Sequence, residues 1–87
     1  MLKLMPEIEI YSKDWCSYCR AAKELLTRLG YQYRDIDVTH DLAGYRAMVA
    51  RADGRSTVPQ IFFDATGIGG YTELTALARS GKLPAPK

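Results

Sequence analysis

Cys16 and Cys19 are the two cysteines of the chain, and they stand three positions apart as Cys16-Ser17-Tyr18-Cys19. Two readings suit such a pair. It could be half of a zinc site, which needs four ligands; the one further ligand of the usual type is His40, far along the chain with no matching spacing. Or it could be a thiol–disulfide redox pair, which needs only the two sulfurs and a setting that ionises one of them. The motif follows a strand-like run and opens a helix-like one, and that junction favours the redox reading. A thiol is a weak nucleophile until it ionises, and a helix N-terminus stabilises the thiolate. A structural bridge is a poor alternative, because so short a loop gives little chain-entropy stabilisation.

The pair must be positioned by the elements around it. Glu7-Ile8-Glu9-Ile10-Tyr11 alternates polar and apolar residues, which predicts a strand. Ser12 to Trp15 is a loop. From Ser17, apolar residues at Ala22, Leu25, Leu26 and Leu29 predict a helix, with Gly30 as its stop. Tyr33 to Val38 reads as a second strand with Arg34, Ile36 and Val38 on one face, completing a βαβ unit. Thr39-His40-Asp41 supplies capping residues for a helix carrying Leu42, Tyr45 and Val49 to about Ala52, ended by Asp53-Gly54. Val58 to Phe63 reads as a strand beginning at a proline. Asp64-Ala65-Thr66-Gly67 reads as a hairpin turn into a short strand ending at Ile68. Gly69-Gly70 breaks the backbone before a last helix from Thr72 to Ser80, with Leu74, Leu77 and Ala78 inward. The order is βαβαββα in one α/β domain over residues 1–87. Residues 1–5 are expected to be an extension, with Met5 a second candidate start, and 84–87 a frayed tail.

Composition narrows the function classes. Apolar residues make up 47% and charged residues 25%, ordinary for a soluble domain. A net charge of +2 is too weak to argue for a nucleic-acid or membrane partner. The N-terminal run is too short and interrupted for a signal peptide, and nothing approaches the ~20 apolar residues of a membrane span. Two closely spaced cysteines are not a secreted disulfide scaffold, so a reducing cytoplasm is the expected setting.

Tyr11-Ser12-Lys13 before Trp15-Cys16-Ser17-Tyr18-Cys19, then Thr57-Val58-Pro59-Gln60-Ile61-Phe62, then Gly69-Gly70-Tyr71, resemble in order and spacing the short dithiol glutaredoxins of bacteria. The resemblance runs from about Pro6 to Leu83. It implies a thioredoxin-like fold, with a central four-stranded mixed sheet flanked by three helices. It implies reduction of protein disulfides and of glutathione mixed disulfides, with glutathione as electron donor. The implied partners are glutathione and disulfide-bearing or glutathionylated proteins, ribonucleotide reductase among them. Ser17-Tyr18 between the cysteines, where thioredoxins typically carry Gly-Pro, and Lys13 before them favour a glutaredoxin over a thioredoxin.

The resemblance assigns roles residue by residue. Cys16, nearest the free N–H groups of the helix, is the expected nucleophile, and Lys13 adds to its activation. An ordinary thiol with a pKa of about 8.5 is only ~3% thiolate at neutral pH, so lowering that pKa gains up to roughly thirtyfold in reactive form. Cys19, one turn deeper, is the expected resolving thiol. Val58-Pro59 resembles the cis-proline of the fold, with Thr57 and Val58 presented opposite the cysteines to pair with a cysteinyl backbone. Lys13 and Arg46 are expected at the glycine carboxylate of glutathione, and Tyr18 in the groove. Gly70, Tyr71 and Thr72 are expected at the γ-glutamyl carboxylate, using the start of the last helix.

Two departures matter. Many relatives carry Cys-Asp where this chain has Tyr71-Thr72; Thr72 can cap the helix but lacks a charge for the ligand's ammonium group, so weaker γ-glutamyl recognition is expected. Ser17 replaces a common Pro, and in some relatives such Cys-Ser-Tyr-Cys motifs accompany a [2Fe–2S] cluster held between two protomers by the first cysteine and glutathione. That is the alternative function, with Cys16 as ligand; the chain is expected to be a monomer, dimeric only around such a cluster. Trp15 is expected as a partly exposed rim residue, His40 on the surface, and Tyr31, Tyr33, Tyr45, Phe62 and Phe63 in or near the core.

Overall fold

The computed structural model describes residues 6–84. The expected extension over residues 1–5 and the last three residues of the expected tail lie outside the described residues. The elements are β1 (Ile8–Ser12), α1 (Ser17–Arg28), β2 (Arg34–Asp37), α2 (Leu42–Arg51), β3 (Gln60–Phe63), β4 (Thr66–Gly69) and α3 (Tyr71–Arg79). The sheet order is β2-β1-β3-β4. β1 pairs parallel with β2, and the β1–β3 and β3–β4 pairs are antiparallel. This is the expected mixed sheet and βαβαββα order.

Strand alternation sorts the apolar side chains into two layers. Ile8, Ile10, Ile61 and Phe63 face Ala22 and Leu26 of α1 and Leu74 of α3. Tyr11, Phe62 and Val38 face Met48 of α2 on the other side. A strand residue and its neighbour point to opposite faces, so one sheet serves two cores. Fully burying a side chain such as Leu26 or Met48 is worth about 1.5–3 kcal/mol. Tyr31 closes the first core: its ring meets Phe63 edge-on at 5.3 Å, and its hydroxyl donates to the Pro84 carbonyl, fixing the first residue of the expected tail.

The second core is latched by an arginine. Arg51 donates from Nη1 to the Tyr11 hydroxyl and from Nη2 to Glu9 Oε1, each at 2.9 Å. Its guanidinium carbon lies 4.0 Å from the centre of the Phe62 ring. Arg34 reaches the same carboxylate at 2.6 Å. The Arg51 hydrogen bond, aided by Arg34, holds the Glu9 carboxyl below the usual carboxylate range.

The helix ends follow local chemistry. Gly30 has φ +90° after α1, where its N–H donates to Thr27 and that of Tyr31 to Leu26, satisfying carbonyls the helix leaves open. Asp41 caps α2 by accepting the Gly44 N–H at 2.9 Å.

Several boundaries differ from the sequence reading. β3 begins at Gln60, and Val58 and Pro59 lie in the loop before it, because Pro59 has no N–H to give a strand ladder. The hairpin turn is Asp64-Ala65 alone, both with positive φ, and Thr66 and Gly67 already belong to β4. Two left-handed residues match the twist of the strands they join. β4 runs on to Gly69, with a bulge in the pairing opposite Ile61 and Phe62. In α2 the fully buried residue is Met48, whereas Leu42 is 61% exposed. Thr72 does not cap α3: Gly70 is the N-cap, and Glu73 supplies the side chain.

Candidate active site

Cys16 stands between β1 and α1 as the N-cap of α1, with extended backbone, and Cys19 lies one turn inside the helix. The two sulfurs are joined in a disulfide, with the Cα atoms 5.2 Å apart. They are unequal. Cys16 is half-buried, whereas Cys19 is 1% exposed. The Cys16 Sγ accepts the Cys19 N–H at 3.0 Å, so the sulfur itself takes one of the orphan donors of the helix start. That donor favours a thiolate at Cys16 in the reduced protein. Cys16 Sγ also lies 3.9 Å from the Val58 carbonyl oxygen.

The loop that faces the sulfur is held from two sides. The Val58–Pro59 peptide is cis, as the resemblance implies. Gln60, 2% exposed, donates from Nε2 to the Thr57 carbonyl at 3.0 Å and to its hydroxyl at 3.3 Å. From α2, the Tyr45 hydroxyl donates to the Ser56 carbonyl at 3.0 Å. Lys13 places its ammonium 4.6 Å from the centre of the Tyr45 ring, so the residue before the motif and the loop share one support.

A groove of about 170 Å³ runs beside the disulfide to the start of α3. Tyr18, the Thr57-Val58-Pro59 loop and Gly70-Tyr71-Thr72 line it, and so do Arg55 and Glu73. Tyr18 and Tyr71 flank it with ring centres 6.0 Å apart. A larger hollow of about 690 Å³ lies beside Pro6, Glu7, Tyr33 and Ala65, at the far end of β1 from the sulfurs. The disulfide, not cavity size, locates the chemistry.

Gly69 and Gly70 allow the close approach of α3. Gly69 has φ +102°, and a Cβ there would come within 2.8 Å of Arg55 Nη1 and Glu73 Cγ. A Cβ on Gly70 would press on the Pro59 carbonyl at 3.2 Å. Glu73 Oε1 accepts the Gly70 N–H at 2.6 Å, which holds its carboxyl below the usual carboxylate range. Arg55 approaches the same oxygen at 3.5 Å.

The structure therefore gathers seven of the expected residues around one groove and leaves two outside it. Lys13 rests on Tyr45, and Arg46 is exposed on α2; neither is part of the groove lining. Three contributors escaped the sequence reading. Gln60 carried a signal, being a polar residue inside an apolar strand run. Glu73 stands three residues after Gly70, the spacing of a carboxylate that caps a helix start. Arg55 carried none, since only tertiary folding brings it beside residue 73. Trp15 is not a partly packed rim residue: it is 97% exposed, with φ +65°. His40 is exposed, and Tyr31, Tyr33, Tyr45, Phe62 and Phe63 are buried or half-buried as expected. No group of three potential metal ligands occurs among the described residues, and none of their helices is long and apolar enough to cross a membrane.

Comparison with known proteins agrees with this geometry. The glutaredoxin family model matches residues 8–68. A glutaredoxin of Pseudomonas aeruginosa is 46% identical over 83 residues, covering 93% of this chain and 95% of its own. Glutaredoxin 3 of Escherichia coli K12 is 44% identical over 79 residues, covering 91% and 94%. Among solved structures, a buckwheat glutaredoxin–glutathione complex superposes with a TM-score of 0.79 at 31% identity, covering 90% of this chain and 73% of that one. With that fold and that cysteine pair, this thiol–disulfide oxidoreductase belongs to the glutaredoxin family.

Proposed function

We propose that the chain reduces protein disulfides and glutathione mixed disulfides, with glutathione as its electron donor. The observation that carries this reading is the inequality of the two sulfurs: one reaches solvent at a helix start, and the other is sealed behind it. In the dithiol state, the Cys16 thiolate attacks one sulfur of a substrate disulfide. An S–S bond forms to Cys16, and the other substrate sulfur leaves as a thiolate. Cys19 gives up its proton and attacks Cys16, releasing the second substrate thiolate and leaving the Cys16–Cys19 disulfide. Two electrons have passed to the substrate. Two glutathione thiols, attacking in turn, return the pair to the dithiol and leave oxidised glutathione.

The groove offers a peptide-like ligand the Val58 backbone and the start of α3, and the buckwheat relative solved with glutathione supports this ligand. Bound through its sulfur to Cys16, the cysteinyl residue meets the backbone N–H and C=O of Val58 like an added strand. The γ-glutamyl arm runs toward α3, where the N–H groups of Tyr71 and Thr72 take its carboxylate. The glycyl carboxylate is left for the cations outside the groove, Lys13 and Arg46. The iron–sulfur alternative has weaker support, since a cluster of that kind needs only Cys16 and leaves the buried Cys19 without a role.

A glutathione-coupled assay tests the reading. The mixed disulfide of glutathione should be reduced much faster than that of cysteinylglycine, which lacks the γ-glutamyl arm. Equal rates on the two would contradict glutathione as the ligand of this groove.

A further inference from the structure

Tyr45 stands where three parts of the molecule meet. It is the fourth residue of α2, half-buried, and it packs against the core formed by Tyr11, Val38, Met48 and Phe62. Its hydroxyl donates to the Ser56 carbonyl at 3.0 Å, two residues before Val58. The ammonium of Lys13, three residues before Cys16, stands over the same ring at 4.6 Å from its centre. One side chain, fixed by a core, therefore reaches the loop that faces the nucleophile and the cation that precedes it.

A lysine free in water samples many rotamers, and a ligand that holds it must overcome that freedom. A ring anchored in a core removes much of this cost before a ligand arrives. The ring covers one side of the ammonium, whose three N–H donors leave others for a carboxylate. Arg46 carries the same charge on the same helix, but successive helix residues are turned about 100° apart. Among the described residues, Arg46 has neither a ring nor a carboxylate as partner. The two cations left for the glycyl carboxylate are thus unequal: Lys13 is seated and Arg46 is not.

We propose that Tyr45 is a positioning residue that holds Lys13 ready for the glycyl carboxylate of glutathione, and so sets the preference for a ligand with a carboxylate at that end. The proposal rests on the glutathione reading above, which supplies the ligand. The Tyr45 hydroxyl has a second task, since it ties down the chain that leads to Val58. The cation for the glycyl end and the backbone for the cysteinyl residue are then set by one side chain. Ring and hydroxyl act on different parts of the ligand, so their removal has different consequences. Loss of the ring weakens recognition of the glycyl carboxylate, whereas loss of the hydroxyl loosens the loop for every substrate.

The test compares the mixed disulfides of glutathione and of γ-glutamylcysteine, which lacks the glycyl residue. The readout is the ratio of their kcat/KM values. Lys13→Met should lower that ratio. Tyr45→Leu, which keeps apolar bulk on the core and removes the ring, should lower it about two- to fivefold, chiefly through KM for the glutathione substrate. The double variant should fall no further than Lys13→Met alone, because the ring acts through the ammonium. Tyr45→Phe keeps the ring, so the ratio should hold while the lost bond to Ser56 slows both substrates alike. A wild-type ratio under Tyr45→Leu, with both rates reduced, would make Tyr45 a support of the loop alone and overturn the proposal. Additive losses in the double variant would overturn it too. A ratio of one in the wild type would also overturn it, whereas the glutathione reading is decided separately by the cysteinylglycine comparison. If Tyr45→Leu does not fold, the wild-type protein decides by nuclear magnetic resonance. The Lys13 ε-methylene protons, assigned through Lys13→Arg, should lie upfield of those of the other lysines; an ordinary lysine position would overturn the proposal.

Discussion

At the scale of single residues, the site is a set of donors and charges arranged around one sulfur. Cys16 Sγ accepts the Cys19 N–H, and Val58 presents its carbonyl opposite. The start of α3 carries the remaining donors. Thr72 is uncharged, and the nearby carboxylate, Glu73, is engaged with the Gly70 N–H and approached by Arg55. The ammonium of a γ-glutamyl group therefore meets less free negative charge than an aspartate at position 72 would give. Thr72→Asp should tighten glutathione binding several-fold, as measured by calorimetry on the reduced protein; unchanged or weaker binding would contradict the assignment of this end of the groove. The cysteine pair and seven groove residues were legible in the sequence because their chemistry depends on local order: a sulfur at a helix start, a proline before a strand, two glycines before a helix. That Lys13 and Arg46 stand outside the groove lining was not legible from charge alone. A cation goes where a ring or a carboxylate receives it, and Lys13 finds Tyr45.

At the scale of elements, the loop between α2 and β3 decides whether Val58 faces the sulfur. Gln60 and Tyr45 fix it, each from a different element. Gln60→Leu keeps the volume and removes both bonds to Thr57, leaving the Thr57 carbonyl unpaired at a cost of about 1–3 kcal/mol. The expected result is a raised KM for glutathione mixed disulfides with a smaller change in kcat, read from steady-state kinetics. A KM that stays at the wild-type value in a folded variant would count against this support. Element order and type were legible from periodicity, whereas the details that depend on tertiary contact were not. The spacing of Leu42, Tyr45 and Val49 marks a helix, yet Met48 takes the buried position and Leu42 stays in water. Apolar residues surround α2 on several sides, so only its packing against Tyr11 and Phe62 selects the inner face. In the same way, Asp64-Ala65-Thr66-Gly67 announces a turn, but the positive φ at Ala65 had no glycine to mark it.

At the scale of the whole molecule, one sheet separates two cores, and the cysteine motif stands where β1 passes into α1. The Glu9–Arg51–Tyr11 latch ties α2 to β1, so it bears on stability and not on the chemistry. Glu9 has its carboxyl lowered on folding, so its contribution is present above the unfolded carboxylate range and is lost as pH falls through the lower folded value. Glu9→Gln should therefore cost about 1 kcal/mol at neutral pH, and its deficit against the wild type should shrink in acid. Denaturant midpoints of both proteins between neutral pH and pH ~3 measure this, and a deficit independent of pH would contradict it. The central claim is the division of labour between a half-buried and a fully buried sulfur. The most direct measurement compares Cys19→Ser with the wild type on a glutathione mixed disulfide and on a protein disulfide, with Cys16→Ser as the inactive reference. Cys19→Ser should retain most activity on the first and lose most on the second; equal loss on both would contradict the roles assigned to the two cysteines.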